Sequence, residues 1–264
     1  MIRKKFSPYE KELLKLERDE KKFKEKYADK NESAINRLLC DKVPAGLQNT
    51  LDSAFAKAFA LVFEKGTGII EKSYNRDEIE KRFKIAKFTA ELRGDRKSLK
   101  TFSKRASSGK ALNLGLSGAA GMGMGFLGIG IPDIAVFTSL MLKNIYEIAL
   151  NFGFDYKEEQ EQAFILRLIR TAVCIGEEFE EADKELDYYI ENGQFENAKS
   201  ADELIKLAAS ALSNDLLYTK FLQGIPIVGV VGGAYDAVFM QRIGAYSELK
   251  YRKRFYFDMN KTGG

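Results

Sequence analysis

Histidine is missing from the 264-residue sequence. Its absence rules out nucleophile triads with a His base, His-ligated zinc or iron sites, and an imidazole proton shuttle near neutral pH. Proline is scarce, with four residues, and no run alternates apolar with polar positions, so a sheet-based fold has no support. The two cysteines, Cys40 and Cys174, are far apart and form no CxxC pair. That argues against a disulfide framework or a thiolate metal site and fits a reducing compartment. The start, Met1-Ile2-Arg3-Lys4-Lys5, leads into charged residues without an apolar signal core, so the expected location is inside the cell.

What is present is helical in character. Hydrophobic residues make up 45% of the chain, enough for a substantial core, and Lys, Glu, Leu and Ala dominate most of its length. From Ser7, a plausible N-cap, to about Lys30 the charges alternate in sign, which predicts a solvated helix with i,i+4 ion pairs. Leu47, Leu51, Ala54, Phe55, Ala58, Phe59 and Val62 recur at helical spacing until Lys65-Gly66-Thr67-Gly68. Between Arg76 and Leu92, Ile79, Phe83, Ile85, Ala86 and Phe88 predict another packed helix, ending at Gly94. Arg93, Arg96, Lys97, Lys100, Lys104, Arg105 and Lys110 then stand against Asp95 alone. Further on, Glu177, Glu178, Glu180, Glu181, Asp183, Glu185 and Asp187 make residues 155–191 acidic; Glu177, Glu181 and Glu185 share one helical face and read as solvated. A helix from about Ala201 to Leu212 follows.

Two glycine-rich apolar segments set the sequence apart. Residues 111–142 contain one charge, Asp133, and residues 221–240 contain one, Asp236. The first reaches Pro132-Asp133 and enters an apolar helix through Met141, Ile145 and Ile148 that Gly153 should end. The second, Gly224 to Gly233, reaches Tyr235-Asp236-Ala237-Val238-Phe239. Each runs from glycines to an Asp to an apolar helix, so they read as a degenerate internal duplication.

Several chemical signatures fail on context. Gly123 to Gly128 formally matches GxGxxG, but no strand precedes it and no βαβ unit surrounds it. Ser107-Ser108-Gly109-Lys110 lacks the first glycine of a phosphate loop and has Ala111 after the lysine. The basic run has few interleaved aromatics and the net charge is only +4, which argues against a nucleic-acid partner. Gly118, Gly121, Gly125 and Gly128 instead suit close helix packing, in a protein core or in lipid. Basic residues 93–110 precede the first segment, and Lys250, Arg252, Lys253 and Arg254 follow the second, which would suit contact with an anionic membrane. Asp133 and Asp236 hold equivalent places; they either cap helices or, if adjacent, share a proton or cation.

The run Gly128-Ile129-Gly130-Ile131-Pro132-Asp133, the helix ending in Ala149-Leu150-Asn151-Phe152-Gly153-Phe154-Asp155, and Gly224-Ile225-Pro226-Ile227-Val228-Gly229-Val230-Val231-Gly232-Gly233 together resemble the EcsC protein family, from about Lys42 to Tyr256. The resemblance implies a bacterial source and association with loci encoding an ABC transporter that affects protein secretion; it carries over no catalytic residue. The resulting expectation is an all-α multi-helix bundle with two glycine-rich hairpin units, residues 1–40 forming a charged arm and 41–264 an EcsC-like domain. The expected function is that of a non-enzymatic accessory protein, peripheral at the cytoplasmic face of the membrane. It would meet lipid or a membrane protein through Gly118, Gly121, Gly125, Gly128, Pro132, Gly229, Gly232, Gly233 and the four C-terminal cations, without cofactor or metal. Two alternatives stay open: a carboxylate- or metal-dependent hydrolase centred on Asp133 and Asp236, and a soluble homodimer serving as an interaction module.

Overall fold

The computed structural model describes residues 6–29, 45–63, 67–93, 95–107, 132–222 and 234–262. Among these there is no strand, and the chain is an all-α bundle. Its helices are α1 (Pro8–Phe23), α2 (Ala45–Leu61), α3 (Thr67–Glu71), α4 (Arg76–Arg93), α5 (Arg96–Ser107), α6 (Pro132–Asn151), α7 (Glu159–Val173), α8 (Gly176–Asn192), α9 (Ala201–Leu222) and α10 (Ala234–Thr262).

The centre of the bundle is α6, which packs against α2, α3, α4, α5 and α10. Its sequence explains this position: residues 141–146 are all buried, including Lys143 and Asn144, so the helix is enclosed rather than half-solvated. Gly244 of α10 lies where a Cβ would come within 2.7 Å of the Asn144 side-chain nitrogen, so a larger residue at this crossing would have to displace the Asn144 amide. The helix ends as expected. Gly153 has φ +87°, a left-handed conformation that a Cβ disfavours, and the Phe83 ring occupies the space where that Cβ would stand, 2.2 Å away. One glycine therefore stops α6 and seats α4.

On the other side α9 packs against α2 and α7, and α8 closes against α7 and α10. Gly193, with φ +76°, ends α8. An aromatic cluster links the two halves: Phe102 stacks on Phe255 with centroids 4.3 Å apart, and Phe83 and Phe152 pack edge-on or tilted around them.

The N-terminal arm departs from the expected solvated helix. Ser7 caps α1 in a capping box with Glu10, and a π-helical turn, Lys24–Ala28, continues it. Leu16, Phe23 and Ala28 are buried, and α1 lies on α10 and α5. Sparse apolar positions among many charges were enough, because α10 supplies complementary partners for those charges. The internal repeat falls mostly on residues 111–131 and 223–233, outside the described residues.

Candidate functional site

Of the expected site residues, Gly118, Gly121, Gly125, Gly128, Gly229, Gly232 and Gly233 lie outside the described residues. Pro132 and Asp133 open α6, and Asp236 falls in the first turn of α10.

Lys250, Arg252, Lys253 and Arg254 lie on α10, turned onto carboxylates. Lys250 is fully buried, its Nζ 2.7 Å from Asp183 and 2.6 Å from Asp187, with Glu20 of α1 at 3.4 Å. Burial by itself would lower the lysine pKa, but the three carboxylates outweigh it and raise it. Lys253 reaches Asp187 at 2.8 Å, and Arg252 reaches Asp19 at 2.9 Å. Arg254 lies 2.7 Å from Glu161, which also accepts a 2.6 Å bond from the Tyr251 hydroxyl. On the acidic helix, the face read as solvated departs from that reading at Glu185, which holds Arg167 at 2.9 Å and Lys199 at 3.1 Å, while Asp183 and Asp187 hold α10. Glu177 and Glu181 remain exposed. The C-terminal basic stretch is a structural clamp, so it does not form an open positive patch.

Open positive charge lies elsewhere. Residues 76–107 carry eleven Lys and Arg against five Asp and Glu, more net charge than the whole chain's +4, so the remainder is slightly acidic. Lys97, Lys100 and Lys104 follow at helical spacing on the exposed side of α5, opposite buried Leu99 and Phe102. Lys81, Lys84 and Arg93 are exposed on α4.

The sequence pattern misled on α4. Ile79, Phe83, Ala86 and Ala90 form its inward face against α6, but Ile85, Phe88 and Leu92 form a second apolar stripe on the opposite face. Their exposures are 67%, 65% and 74%, against 40% for the next most exposed large hydrophobic side chain among the described residues, Phe6. The i, i+3, i+7 spacing of 85, 88 and 92 could have revealed a separate face. Between α4 and α5 runs a cleft of about 610 Å³, into which Arg82, Arg93 and Lys97 open over a floor that includes Phe83 and Phe102.

A second polar cluster joins the loop after α3 to α6. The Tyr74 hydroxyl donates to that of Tyr156 at 2.8 Å, and Tyr156 donates to Glu71 at 2.5 Å. Burial and Glu71 push the Tyr156 hydroxyl up to about 12. Arg76 binds Asp155 and Glu80, so this network ties α4 to the segment after α6. Nearby, Lys143 is buried, donates to the Ser73 carbonyl at 3.2 Å and faces Glu147 at 3.8 Å; burial pushes the Glu147 carboxyl up. Most of these contacts join helices or loops, and beside them lies a shallow surface depression of about 500 Å³ lined by Glu71, Tyr74, Arg76 and their neighbours. Among the described residues, no three His, Cys, Asp or Glu side chains gather as a metal site.

The molecule is therefore an all-α bundle with one internally neutralised basic helix and one exposed basic, apolar helical hairpin. The EcsC protein family model matches residues 9–255, and the chain belongs to that family. It is similar to an uncharacterized protein, YdbA, of Bacillus subtilis (strain 168): 26% identity over 125 residues, covering 46% of this chain and 45% of that protein. The chain thus spans less than half of that relative. No solved structure matches. The family match begins within α1, which the resemblance read from the sequence had left out.

Proposed function

We propose that the protein attaches peripherally to an anionic membrane surface through α4 and α5. The observation that carries this reading is the stripe Ile85, Phe88 and Leu92, exposed on a helix pair whose exposed cations, Lys81, Lys84, Arg93, Lys97, Lys100 and Lys104 among them, outnumber its exposed acids such as Glu78 and Glu91. An interfacial helix combines such apolar and cationic features. Each of the three side chains would contribute about 1–2 kcal/mol on leaving water, and each nearby cation roughly 1 kcal/mol at an anionic surface. No described helix is long and apolar enough to cross a membrane, which suits attachment in the interface plane. In this reading the chain is a non-enzymatic accessory at the cytoplasmic face of a bacterial membrane, in the transport and secretion setting that the EcsC resemblance implies.

Flotation with vesicles tests it. The wild-type chain should float with phosphatidylglycerol vesicles and stay behind with phosphatidylcholine ones, and Phe88→Ser with Leu92→Ser should abolish flotation. A wild-type chain that never floats with anionic vesicles would remove the reading. If that chain instead forms a dimer that the same double substitution dissociates, the stripe is a self-association surface.

A further inference from the structure

We infer that the cleft between α4 and α5 is a binding site for the phosphate headgroup of a single anionic phospholipid, with the start of its acyl chains against the cleft's apolar floor. This deepens the membrane reading and rests on it.

Three observations converge. The volume, about 610 Å³, falls in the range of roughly 300–1,000 Å³ typical of small-molecule sites. Among the described residues, all the charge lining it is of one sign: Arg82, Arg93 and Lys97 contribute, and no carboxylate does. Of these, Arg82 also pairs with Glu78 at 2.9 Å, but both side chains are more than half exposed, so that pair is weak and exchangeable. Thr89, Ser98 and Thr101 line the same wall; the Thr89 hydroxyl already donates to the Ile85 carbonyl at 2.7 Å and Ser98 bonds Asp95, so the cations carry most of the recognition. Guanidinium forks with neighbouring hydroxyls are the side-chain set that binds phosphate oxygens.

The floor supplies the other half of an amphiphile's requirements. Phe83 and Phe102 lie edge to face with centroids 5.9 Å apart, and both belong to the aromatic cluster around Phe255, so the floor is rigid. Ala86 leaves room above it, and Ile85 lines the same cleft while belonging to the exposed stripe. A lipid seated here would have its phosphate among the cations and its chains leading along Ile85 toward the membrane that Phe88 and Leu92 enter. Free phosphate would use only the cationic half of the site.

The test uses full-length protein and short-chain lipids kept below their micelle concentrations, with binding read by calorimetry. Dioctanoyl phosphatidic acid should bind saturably with one molecule per chain, and dioctanoyl phosphatidylcholine at least tenfold more weakly. Arg93→Glu with Lys97→Glu should weaken phosphatidic acid binding at least tenfold, with its thermal melt unchanged because both side chains are exposed. Phe88→Ser with Leu92→Ser, outside the cleft, should keep this binding while losing vesicle flotation, which separates failure of the cleft from failure of the membrane surface. Equal binding of the two lipids, no saturable binding, or inorganic phosphate binding as tightly as phosphatidic acid would overturn the inference.

Discussion

Two basic stretches of similar appearance in the sequence have opposite fates in the fold. On α10, Lys250, Arg252, Lys253 and Arg254 face Asp183, Asp187, Glu161, Asp19 and Glu20, and each has a carboxylate within 3 Å. On α4 and α5, Arg93, Lys97, Lys100 and Lys104 are exposed, on the helix pair that also carries exposed Ile85, Phe88 and Leu92. The difference is topological: α8, α7 and α1 deliver their acids to α10, whereas α4 and α5 pack on α6, which presents apolar side chains at that side. Local charge density says little about exposure until the opposing helix is known.

The largest way to break this contrast is Lys250→Met. Removing the buried cation leaves Asp183, Asp187 and Glu20 repelling one another, and loss of one member of a buried ion cluster costs about 3–5 kcal/mol. Urea unfolding should show a loss of that size; a change under ~1 kcal/mol would mean that water already reaches the cluster. The same cluster sets an acid limit. Despite burial, Lys250 and Lys253 hold Asp187 below the usual carboxylate range. A carboxyl whose folded pKa is depressed contributes stability above its unfolded pKa, about 3.9, and loses it as pH falls through the folded pKa. Stability should therefore drop steeply below about pH 4, and Lys250→Met should flatten that part of the curve.

Next in size is Gly153→Ala. The left-handed conformation and the collision with Phe83 together should cost about 1–3 kcal/mol, and Phe83 must leave its place in the aromatic cluster. Because Phe83 also floors the α4–α5 cleft, calorimetric lipid binding should weaken along with stability. Loss of stability alone would show that the ring returns to the cleft by another route.

Much of the fold was legible in the sequence. The period of 3.6 in 47–62 and through Met141, Ile145 and Ile148 gave α2 and α6, and Ser7 and Gly153 marked boundaries correctly, because capping and left-handed turns are local chemistry. Contacts at long sequence separation were not legible. Nothing near Lys250 in the chain announces Asp183 or Glu20, so its burial required the fold. The apolar stripe on α4 was merged with the inward face because Ile85 and Phe88 interleave with Phe83 and Ala86, and a tally of apolar residues does not separate two faces. Most of the two glycine-rich segments, residues 111–131 and 223–233, lies outside the described residues.

The smallest expected effect on stability is the most telling for function. Charge reversal at Lys97 and Lys100 removes positive charge from an exposed helix face with no buried partner to strand, so unfolding should change by no more than about 0.5 kcal/mol. Flotation with anionic vesicles should nonetheless fall more than tenfold, since four unit charges change at a surface where each is worth roughly 1 kcal/mol. Lys250→Met should do the reverse, lowering stability severely while leaving flotation of the folded fraction intact. If Lys97→Glu with Lys100→Glu left flotation unchanged, the stripe would be acting without the cations of its helix pair, and the contrast between the two stretches would be one of folding only.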